Sequence, residues 1–443
     1  MADAKRNQQY TITEAFITAD RFGERDIDIT RLIYELSIYE SLDKPYLTGA
    51  VAVVDDKGLF GTINFKGTEF LTVRMSPATG DETILDKTFA MTKQVESVRA
   101  SNDTDVVLFH LVESHAYYNS LRTLSRAYTS SIEKIITQIC TGELQKPVDL
   151  SYLTAQTTAQ GVRKFIVPFI TPLDACSMLV DRATTSHGSP VYLYASIHDN
   201  NLRLGDLDKM LSQTPFNEDA PFLFSQTKTS ATSELDEFSK SMTVDEYVRK
   251  EQEDTYYQLQ QGGIGASYAN TDLGTGITLN SHVSIKNILK DLVNSGVLSE
   301  RDTQVVWDEQ LKYLGKTADE YDSRFTHQVN SSLTYNQFKS YHDASGNDIL
   351  LKIRKQIIEQ ALYKNVIKYT VPGTAFFLAK ATVGDMCRFR VLKNISQEKS
   401  NTSELYDEKG SGNFLIYALR HTFRDTQHTV SMEACRLNRR ELL

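Results

Sequence analysis

The sequence from Val371 to Leu437 consists of short apolar segments that alternate with polar residues and are interrupted by turn formers. Such alternation, broken by Gly, Asp and Asn, predicts strands and turns rather than helix. The predicted strands are Thr374–Leu378, Asp385–Val391, and a hairpin that runs from Asn413 to Phe423 and returns from Thr429 to Arg436. No residue type in this region suggests catalysis, so its role is expected to be architectural.

A similar layout occurs near the N-terminus, where residues 28–115 predict a β domain. The predicted strands are Ile33–Glu40, Tyr46–Val54, Gly67–Met75, Thr88–Val98 and Asp105–Glu113. Gly58 closes a predicted turn after the second strand because glycine accepts a positive φ angle. The segment that begins at Gly67 resembles the one that begins at Gly384 in length and alternation. Periodicity alone leaves an internal duplication and a chance similarity of two hairpins equally open.

Between the two β regions the pattern changes to α/β. Ser130 is the predicted N-cap of a helix that carries an isoleucine stripe and ends at Gly142. Thr171 is the predicted N-cap of a second helix that ends near Ala183, with Pro172 in its first turn. A small hairpin follows at Val191–Ile197 and Leu202–Leu204. Further along, Gln261–Gly276 is predicted to be a long loop or an insertion between domain pieces, and Asn347–Tyr369 a helix.

Composition limits the possible functions. A chain of 443 residues predicts two to four domains. The net charge of −9 argues against a grip on nucleic acid phosphates and against docking on an anionic membrane. No apolar run approaches the roughly 18 residues that a membrane span needs. The N-terminus carries no secretory pattern, which predicts folding in a cytoplasm. Four scattered cysteines predict reduced, buried thiols rather than a disulfide framework or a zinc site.

The motifs that could carry chemistry are weak. Gly262–Gly265 lacks the strand and helix context of a phosphate-binding loop, and a polar loop explains Ser186–Ser189 better than a catalytic triad does. His110 and His115 lack a metal-ligand partner at a sensible spacing. The pair Asp55 and Asp56 is expected on solvated surface. The sequence therefore predicts no enzyme, no cofactor and no metal.

A family resemblance adds to this interpretation. The run from Tyr369 to Met386 and the run Gly412–Phe423 resemble the closing segment of phage baseplate hub proteins. Leu124–Ile136 and the Phe165–Ala175 segment are similar to the central module of the same family, and these segments occur in the same order. The chain thus resembles the baseplate central hub, or tube-domain, proteins of T-even-type contractile-tailed phages, which are related to the hub part of VgrG-type spikes.

The resemblance implies an α+β, multidomain fold. It has two related antiparallel tube-type β-barrel domains, an intervening α/β subdomain, and a helical and loop insertion. The implied boundaries are 1–117 for the first barrel, 118–215 for the α/β subdomain, 216–345 for the insertion with part of the second barrel, and 346–443 for a helix and the remaining strands. The structural turn and barrel positions are expected at Gly58, Gly67, Pro372, Gly373, Gly384, Asp385, Gly412 and His421.

The resemblance also implies a function in the virion, after assembly in the host cytoplasm. Three chains are expected to form a pseudo-sixfold ring that joins a trimeric spike to the hexameric tail tube. Expected partners are the central spike protein, tube and tube-initiator proteins, and the tape measure protein. DNA is expected to pass through the ring without specific binding, past an acid-rich wall, and no membrane insertion is expected. The alternatives are a tail-associated cell-wall-degrading enzyme and the hub part of a type VI secretion-like spike.

Overall fold

The computed structural model describes residues 10–23, 25–56, 58–78, 84–99, 104–155, 158–159, 161–224, 242–244, 246–251, 255–298, 312–330, 346–392, 406–407 and 410–437. The first barrel is built from residues 10–113. Its elements are β1 (Tyr10–Thr18), β2 (Ile27–Asp28), β3 (Ile33–Ser41), β4 (Thr48–Asp55), α1 (Leu59–Ile63), β5 (Glu69–Pro77), β6 (Leu85–Arg99) and β7 (Asp105–Glu113).

Antiparallel pairing closes these strands on themselves. From β1 the order runs to the segment 27–41, then to β4, β7, β6 and β5, and back to β1. The segment 27–41 closes the barrel because its first part, β2, pairs with β1 while its second part, β3, pairs with β4. Alternate side chains of each strand point inward, and Val51, Phe89 and Phe109 are fully buried there. Period-2 alternation in the sequence thus produces the barrel core.

The α/β subdomain follows directly. Its elements are α2 (Ser114–Asn119), β8 (Leu124–Ser131), α3 (Ile132–Leu144), β9 (Val148–Asp149), β10 (Val162–Ile170), α4 (Pro172–Arg182), β11 (Val191–Ala195), β12 (Leu202–Asp206) and α5 (Leu207–Leu211). The predicted cap of α4 is confirmed, since the Thr171 side chain accepts a hydrogen bond from the Asp174 backbone N–H. The predicted β11–β12 hairpin is also confirmed.

Both predicted ends of α3 need correction. The N-cap is Ser131, because Ser130 still pairs with Arg163 in the β8–β10 ladder. The helix continues past Gly142 to Leu144, and Gln145 ends it with a left-handed φ of 55°. All four cysteines are free and buried, as their spacing predicts. Cys140 of α3 and Cys176 of α4 lie with their sulfur atoms 3.7 Å apart.

The chain then enters the second barrel, leaves it for an insertion, and returns. The entering strands are β13 (Phe222–Phe224), β14 (Thr243–Val244) and β15 (Tyr247–Glu251). The insertion contains α6 (Thr255–Gln261), β16 (Gly265–Asp272), β17 (Ile277–Ser284), α7 (Ile285–Asn294), β18 (Lys312–Tyr313), β19 (Lys316–Thr317), β20 (Phe325–Asn330) and α8 (Gly346–Leu362). The returning elements are β21 (Asn365–Pro372), α9 (Thr374–Ala379), β22 (Met386–Val391), β23 (Gly412–Arg424) and β24 (Gln427–Arg436).

The second barrel repeats the strand order of the first. From β13 the order runs to the segment 243–251, then to β21, β24, β23 and β22, and back to β13. As in the first barrel, one segment closes the cylinder, because β14 pairs with β13 and β15 pairs with β21. The repeat differs at one strand, since β13 runs parallel to its neighbours whereas β1 is antiparallel to its own. The predicted α+β fold with two related tube-type barrels is confirmed.

Three secondary-structure predictions were wrong. Thr374–Leu378 is helix α9, not a strand, and it stands between β21 and β22 as α1 stands between β4 and β5, with Phe376 fully buried. Half of the predicted loop Gln261–Gly276 is strand β16, which pairs with β17 and β20. The helix predicted from Asn347 ends at Leu362, because alternate residues of β21 point into the second core.

Candidate assembly surface

The two barrels share a junction in which strand β3 of the first pairs with strand β23 of the second. Seven consecutive residue pairs form this antiparallel ladder, from Ala418 opposite Ser41 to Arg424 opposite Glu35. The pairing makes one continuous sheet of eight strands, in the order β15, β21, β24, β23, β3, β4, β7, β6. Pairing satisfies the edge groups of both strands, so the junction is a backbone interface as well as a side-chain contact.

A buried polar cluster lies under this junction. The Oε1 atom of Glu40 lies 2.9 Å from Nε2 of His421, and both side chains have no exposed surface. Thr382 donates a hydrogen bond to the other carboxylate oxygen of Glu40, and Nδ1 of His421 lies 3.1 Å from Nε2 of His428. Because an ionised carboxylate only accepts, His421 donates to Glu40 through Nε2–H and accepts from His428.

Burial and hydrogen bonding shift two pKa values in this cluster. Burial acts to raise the pKa of Glu40, but the hydrogen bonds from His421 and Thr382 outweigh burial and hold the pKa below its ordinary value. Burial holds the pKa of His428 well below its ordinary value, so this imidazole is neutral at pH 7. Buried polar groups that satisfy one another fix a single register of the strands that carry them.

The face of the continuous sheet that points away from the two barrel cores carries paired charges. Lys368 of β21 forms an ion pair with Glu433 of β24, while Arg420 and Arg424 of β23 lie 3.6 and 3.9 Å from the carboxylate of Glu35. A cavity of about 680 Å³ opens on this face over β15, β21, β24, β23 and β3. This face is therefore concave, and cations on β21 and β23 are paired with acids on it.

The predicted turn residues of the first barrel lie at the two ends of the connection around α1. Gly58 has a φ of 66° and precedes the helix, and Gly67 has a φ of 79° and precedes β5. Asp55, expected on solvated surface, is instead buried, and its carboxylate accepts hydrogen bonds from the N–H groups of Leu59 and Phe60 at 2.8 and 2.9 Å. It stabilises the start of α1.

The predicted turn residues of the second barrel surround α9 and β22. Pro372 ends β21, and an added Cβ on Gly373 would lie 1.7 Å from Nδ1 of His428. Gly384 has a φ of 88° and contacts the Tyr194 side chain, while Gly412 begins β23. Burial raises the pKa of Asp385 to about 6, although its carboxylate accepts a hydrogen bond from the Thr382 N–H at 2.9 Å.

Sequence reasoning placed only His421 of the buried cluster and missed its partners Glu40, Thr382 and His428. One signal was available for Glu40. In β3 the residues Leu36 and Ile38 occupy the inward-facing positions, so the next inward position falls on Glu40. An acid at a core position predicts a buried partner. Nothing in the sequence indicated that the partner lies 381 residues away.

The weak catalytic motifs do not converge. His110 lies on the outer face of β7, whereas His115 is buried in α2, where its Nε2 lies 2.8 Å from the Pro45 carbonyl. Ser189 donates its backbone N–H to Thr185 in the loop between α4 and β11. Within the described residues, no group of three or more His, Cys, Asp or Glu side chains could hold a metal. No described helix has the length and apolar character of a membrane span.

Comparison with solved structures supports the architecture. The 43 kDa tail protein of prophage MuSo2 from Shewanella oneidensis matches over 96% of this chain and 98% of its own, with 12% identity and a TM-score of 0.50. This chain has a phage tail protein fold. The resemblance to tail hub proteins inferred from the sequence is thereby confirmed at the level of the fold.

Two further structures are similar over most of the chain. The tail protein from Neisseria meningitidis MC58 matches over 97% of both chains, with 10% identity and a TM-score of 0.49. The E. coli c3393 protein, a type VI secretion component described as similar to T4 tail proteins gp27 and gp5, matches over 91% of this chain and 73% of its own, with 8% identity and a TM-score of 0.44. No protein-family model and no curated protein sequence matches this chain.

Proposed function

We propose that this chain is a structural subunit of a phage baseplate hub. Three copies form a ring of six barrels that joins a trimeric spike to the sixfold tail tube. The observation that carries the proposal is the repeated strand order of the two barrels, joined edge to edge through β3 and β23. A chain with two equivalent barrels presents nearly the same surface twice, so threefold symmetry can imitate sixfold symmetry.

The junction within the chain indicates how a ring could close. A contact between barrel one and barrel two of the same chain is heterologous, because it joins β3 of one repeat to β23 of the other. Heterologous contacts that repeat around an axis produce closed rings when the rotation closes. Applied between chains as well as within them, one type of contact generates the whole ring. The four proposed segments (1–117, 118–215, 216–345 and 346–443) place one barrel at each end of the chain.

The concave sheet face is the proposed wall of the DNA channel. Lys368 and Arg420 on this face are paired with Glu433 and Glu35, so they are less available to phosphates. DNA then passes without specific binding because these cations are paired, not because acids dominate. The proposed neighbours are the central spike on one side, and the tube and tube-initiator proteins with the tape measure protein on the other. The proposed location is the virion baseplate, after assembly in the host cytoplasm.

Light scattering on the purified chain, alone and with its spike and tube partners, tests the proposal. The expected result is a particle that contains three copies of the chain, with the mass of any bound partner added. A chain that stays monomeric in the presence of both partners would contradict it. The E40A variant, with the intrachain junction weakened, is expected to lose trimer, whereas the D56K variant, changed at an exposed turn, is expected to retain it.

A further inference from the structure

One edge of the outer half of strand β6 has no strand partner among the described residues. Its inner half, Leu85–Met91, pairs with β5, but residues 93–99 extend beyond β5 and pair only with β7. Every residue from Thr92 to Arg99 is exposed. Natural proteins rarely leave an edge of this length open, since it is a template for pairing with another strand.

Strand β23 occupies the same place in the second barrel, and there the edge is covered. The inner half of β23 pairs with β22, and its outer half, from Ala418 onward, pairs with β3. Both strands shift register at the equivalent point, with Thr92 in β6 and Tyr417 in β23 as the extra residue opposite their partner strands. Strand β6 shifts once more, with Val95 as a second extra residue opposite β7, and the residues from Glu96 onward pair regularly again. The open half of β6 is therefore the counterpart of the half of β23 that β3 covers.

The counterpart of β3 is β15. Each is the second part of the segment that closes its barrel, and each pairs on one side with an equivalent strand, β4 or β21. The other edge of β3 pairs with β23, whereas β15 has no second strand partner among the described residues. The chain thus presents two open edges that correspond to the two strands of its own internal junction.

Pairing within each barrel fixes how the two edges would align. Across the first sheet, Ser37, Ala50, His110 and Lys93 form one row of directly opposed residues. Across the second, the equivalent row is Val248, Lys368, Glu433 and Ala418. These rows make Ser37 equivalent to Val248, and moving two residues along β3 and β15 makes Tyr39 equivalent to Lys250.

The same rows relate β23 to β6. Arg420 is the counterpart of Glu96, because their partners Ser431 and Leu108 occupy equivalent positions in β24 and β7. Thr422 is the counterpart of Val98 for the same reason, with Thr429 and Val106 as the partners. The internal junction places Arg420 opposite Tyr39 and Thr422 opposite Ser37. An equivalent junction between two chains would therefore place Glu96 of one chain opposite Lys250 of the other, and Val98 opposite Val248.

The chemistry of these residues suits that register. Glu96 and Lys250 carry opposite charges, which stabilise directly opposed positions on neighbouring strands. Val98 and Val248 are 50% and 49% exposed in the single chain, and each would cover the other.

We propose that β15 of a second copy of this chain pairs antiparallel with the outer half of β6, with Glu96 opposite Lys250 and Val98 opposite Val248. The inference rests on the proposed ring and specifies the contact that closes it. Each chain then contributes eight strands to a continuous inner sheet, and the contact between chains repeats the contact within one.

Cysteine cross-linking of the full chain tests the register. A chain carrying V98C and V248C is expected to form covalent dimers and trimers on mild oxidation, because opposed residues on paired strands lie within disulfide reach. The matched control carries V98C and K250C, which fall two residues out of register, and is expected to stay uncross-linked. The four native cysteines are buried in both variants.

The possible outcomes distinguish an error in the proposed strand register from an error in the proposed ring. If light scattering shows a trimer but V98C with V248C fails to cross-link, or cross-links no better than the control, the register is wrong and the ring survives. If the chain never trimerises even with its spike and tube partners, the ring itself is wrong.

Charge reversal gives a second readout that does not depend on cysteine geometry. Either E96K or K250E alone places like charges opposite each other and is expected to weaken trimerisation by about threefold to tenfold. The combination of the two restores opposite charges and is expected to recover the wild-type midpoint of assembly. The D56K variant, with the same change of charge at an exposed turn, is expected to have no effect. Equal losses in the double variant and the single variants would overturn the pairing.

Discussion

The carboxylate of Glu40 and the imidazole of His421 meet at 2.9 Å, fully buried, across the ladder that joins the two barrels. The first residue belongs to the third strand of the chain and the second to the strand before the last. Their contact therefore ties the two ends of the sequence together at the junction on which the proposed ring depends.

Removing this carboxylate is expected to destabilise the chain strongly. The E40A variant leaves the buried N–H of His421 and the hydroxyl of Thr382 without their acceptor, which costs about 3–5 kcal/mol of unfolding free energy. Chemical denaturation followed by circular dichroism measures the loss. The control is E35A on the same strand, where a partly exposed ion pair contributes at most about 1 kcal/mol. Equal effects of the two substitutions would contradict this role of Glu40.

Asp385 is expected to make stability depend on pH. Its folded pKa of about 6 lies above its ordinary value of 3.8, so the folded chain favours the protonated carboxyl. This contribution is complete below about pH 4 and is lost as the pH rises through 6. The difference in unfolding free energy, D385N minus wild type, should therefore increase by about 1–3 kcal/mol between pH 4 and pH 7.5, since each pKa unit corresponds to about 1.4 kcal/mol.

Unfolding curves of both proteins at pH 4, 5, 6 and 7.5 measure this difference. The amide oxygen of D385N can still accept from the Thr382 N–H, so the turn before β22 is preserved. A difference that does not change with pH would show that Asp385 carries no raised pKa.

Gly373 is expected to tolerate no side chain. The methyl group of G373A would lie 1.7 Å from the imidazole of His428, which is fully buried and cannot move without disturbing His421. Overpacking of this kind costs about 1–3 kcal/mol or more. The comparison variant is G58A, where the backbone is left-handed but no atom lies within 4 Å, and the cost is limited to about 1–2 kcal/mol. A shift in the His428 ring signals of G373A, absent in G58A, would confirm the mechanism by NMR, and unchanged signals would argue against it.

The paired charges of the concave face predict a change in DNA affinity. Neutralising two of its acids with E35Q and E433Q removes the acidic partners of Lys368 and Arg420, and is expected to strengthen binding of duplex DNA at low salt by about tenfold, with a steeper salt dependence. The matched control combines E143Q and D291N, which free Arg122 and Arg354 elsewhere on the surface. Equal gains in both double variants would show that net charge, not this face, controls binding.

The sequence predicted the architecture better than the details that hold it together. Alternation in β4, β6, β7, β23 and β24 predicted the strands and their repetition because half of each strand faces a core. It misassigned α9, because the run Thr374–Leu378 is too short for its period to distinguish strand from helix.

The junction could not be read from the sequence for a physical reason. Glu40 and His421 meet only because the two barrels pack edge to edge, and neither the spacing nor the composition of β3 and β23 encodes which edges meet. The open edge at β15 was missed because it lies in a region with weak local patterning. Its significance appears only when the two barrels are compared strand by strand.

Imaging the assembled particle tests the central claim most directly. Electron microscopy of the chain in complex with its spike and tube partners, viewed down the axis, should show a ring of six barrels in which each of three chains supplies two neighbours. The inner wall should be one continuous sheet, with a β3–β23 contact inside each chain and an equivalent contact between chains. A ring with one barrel per chain, or an assembly in which the chain remains a monomer, would contradict the account.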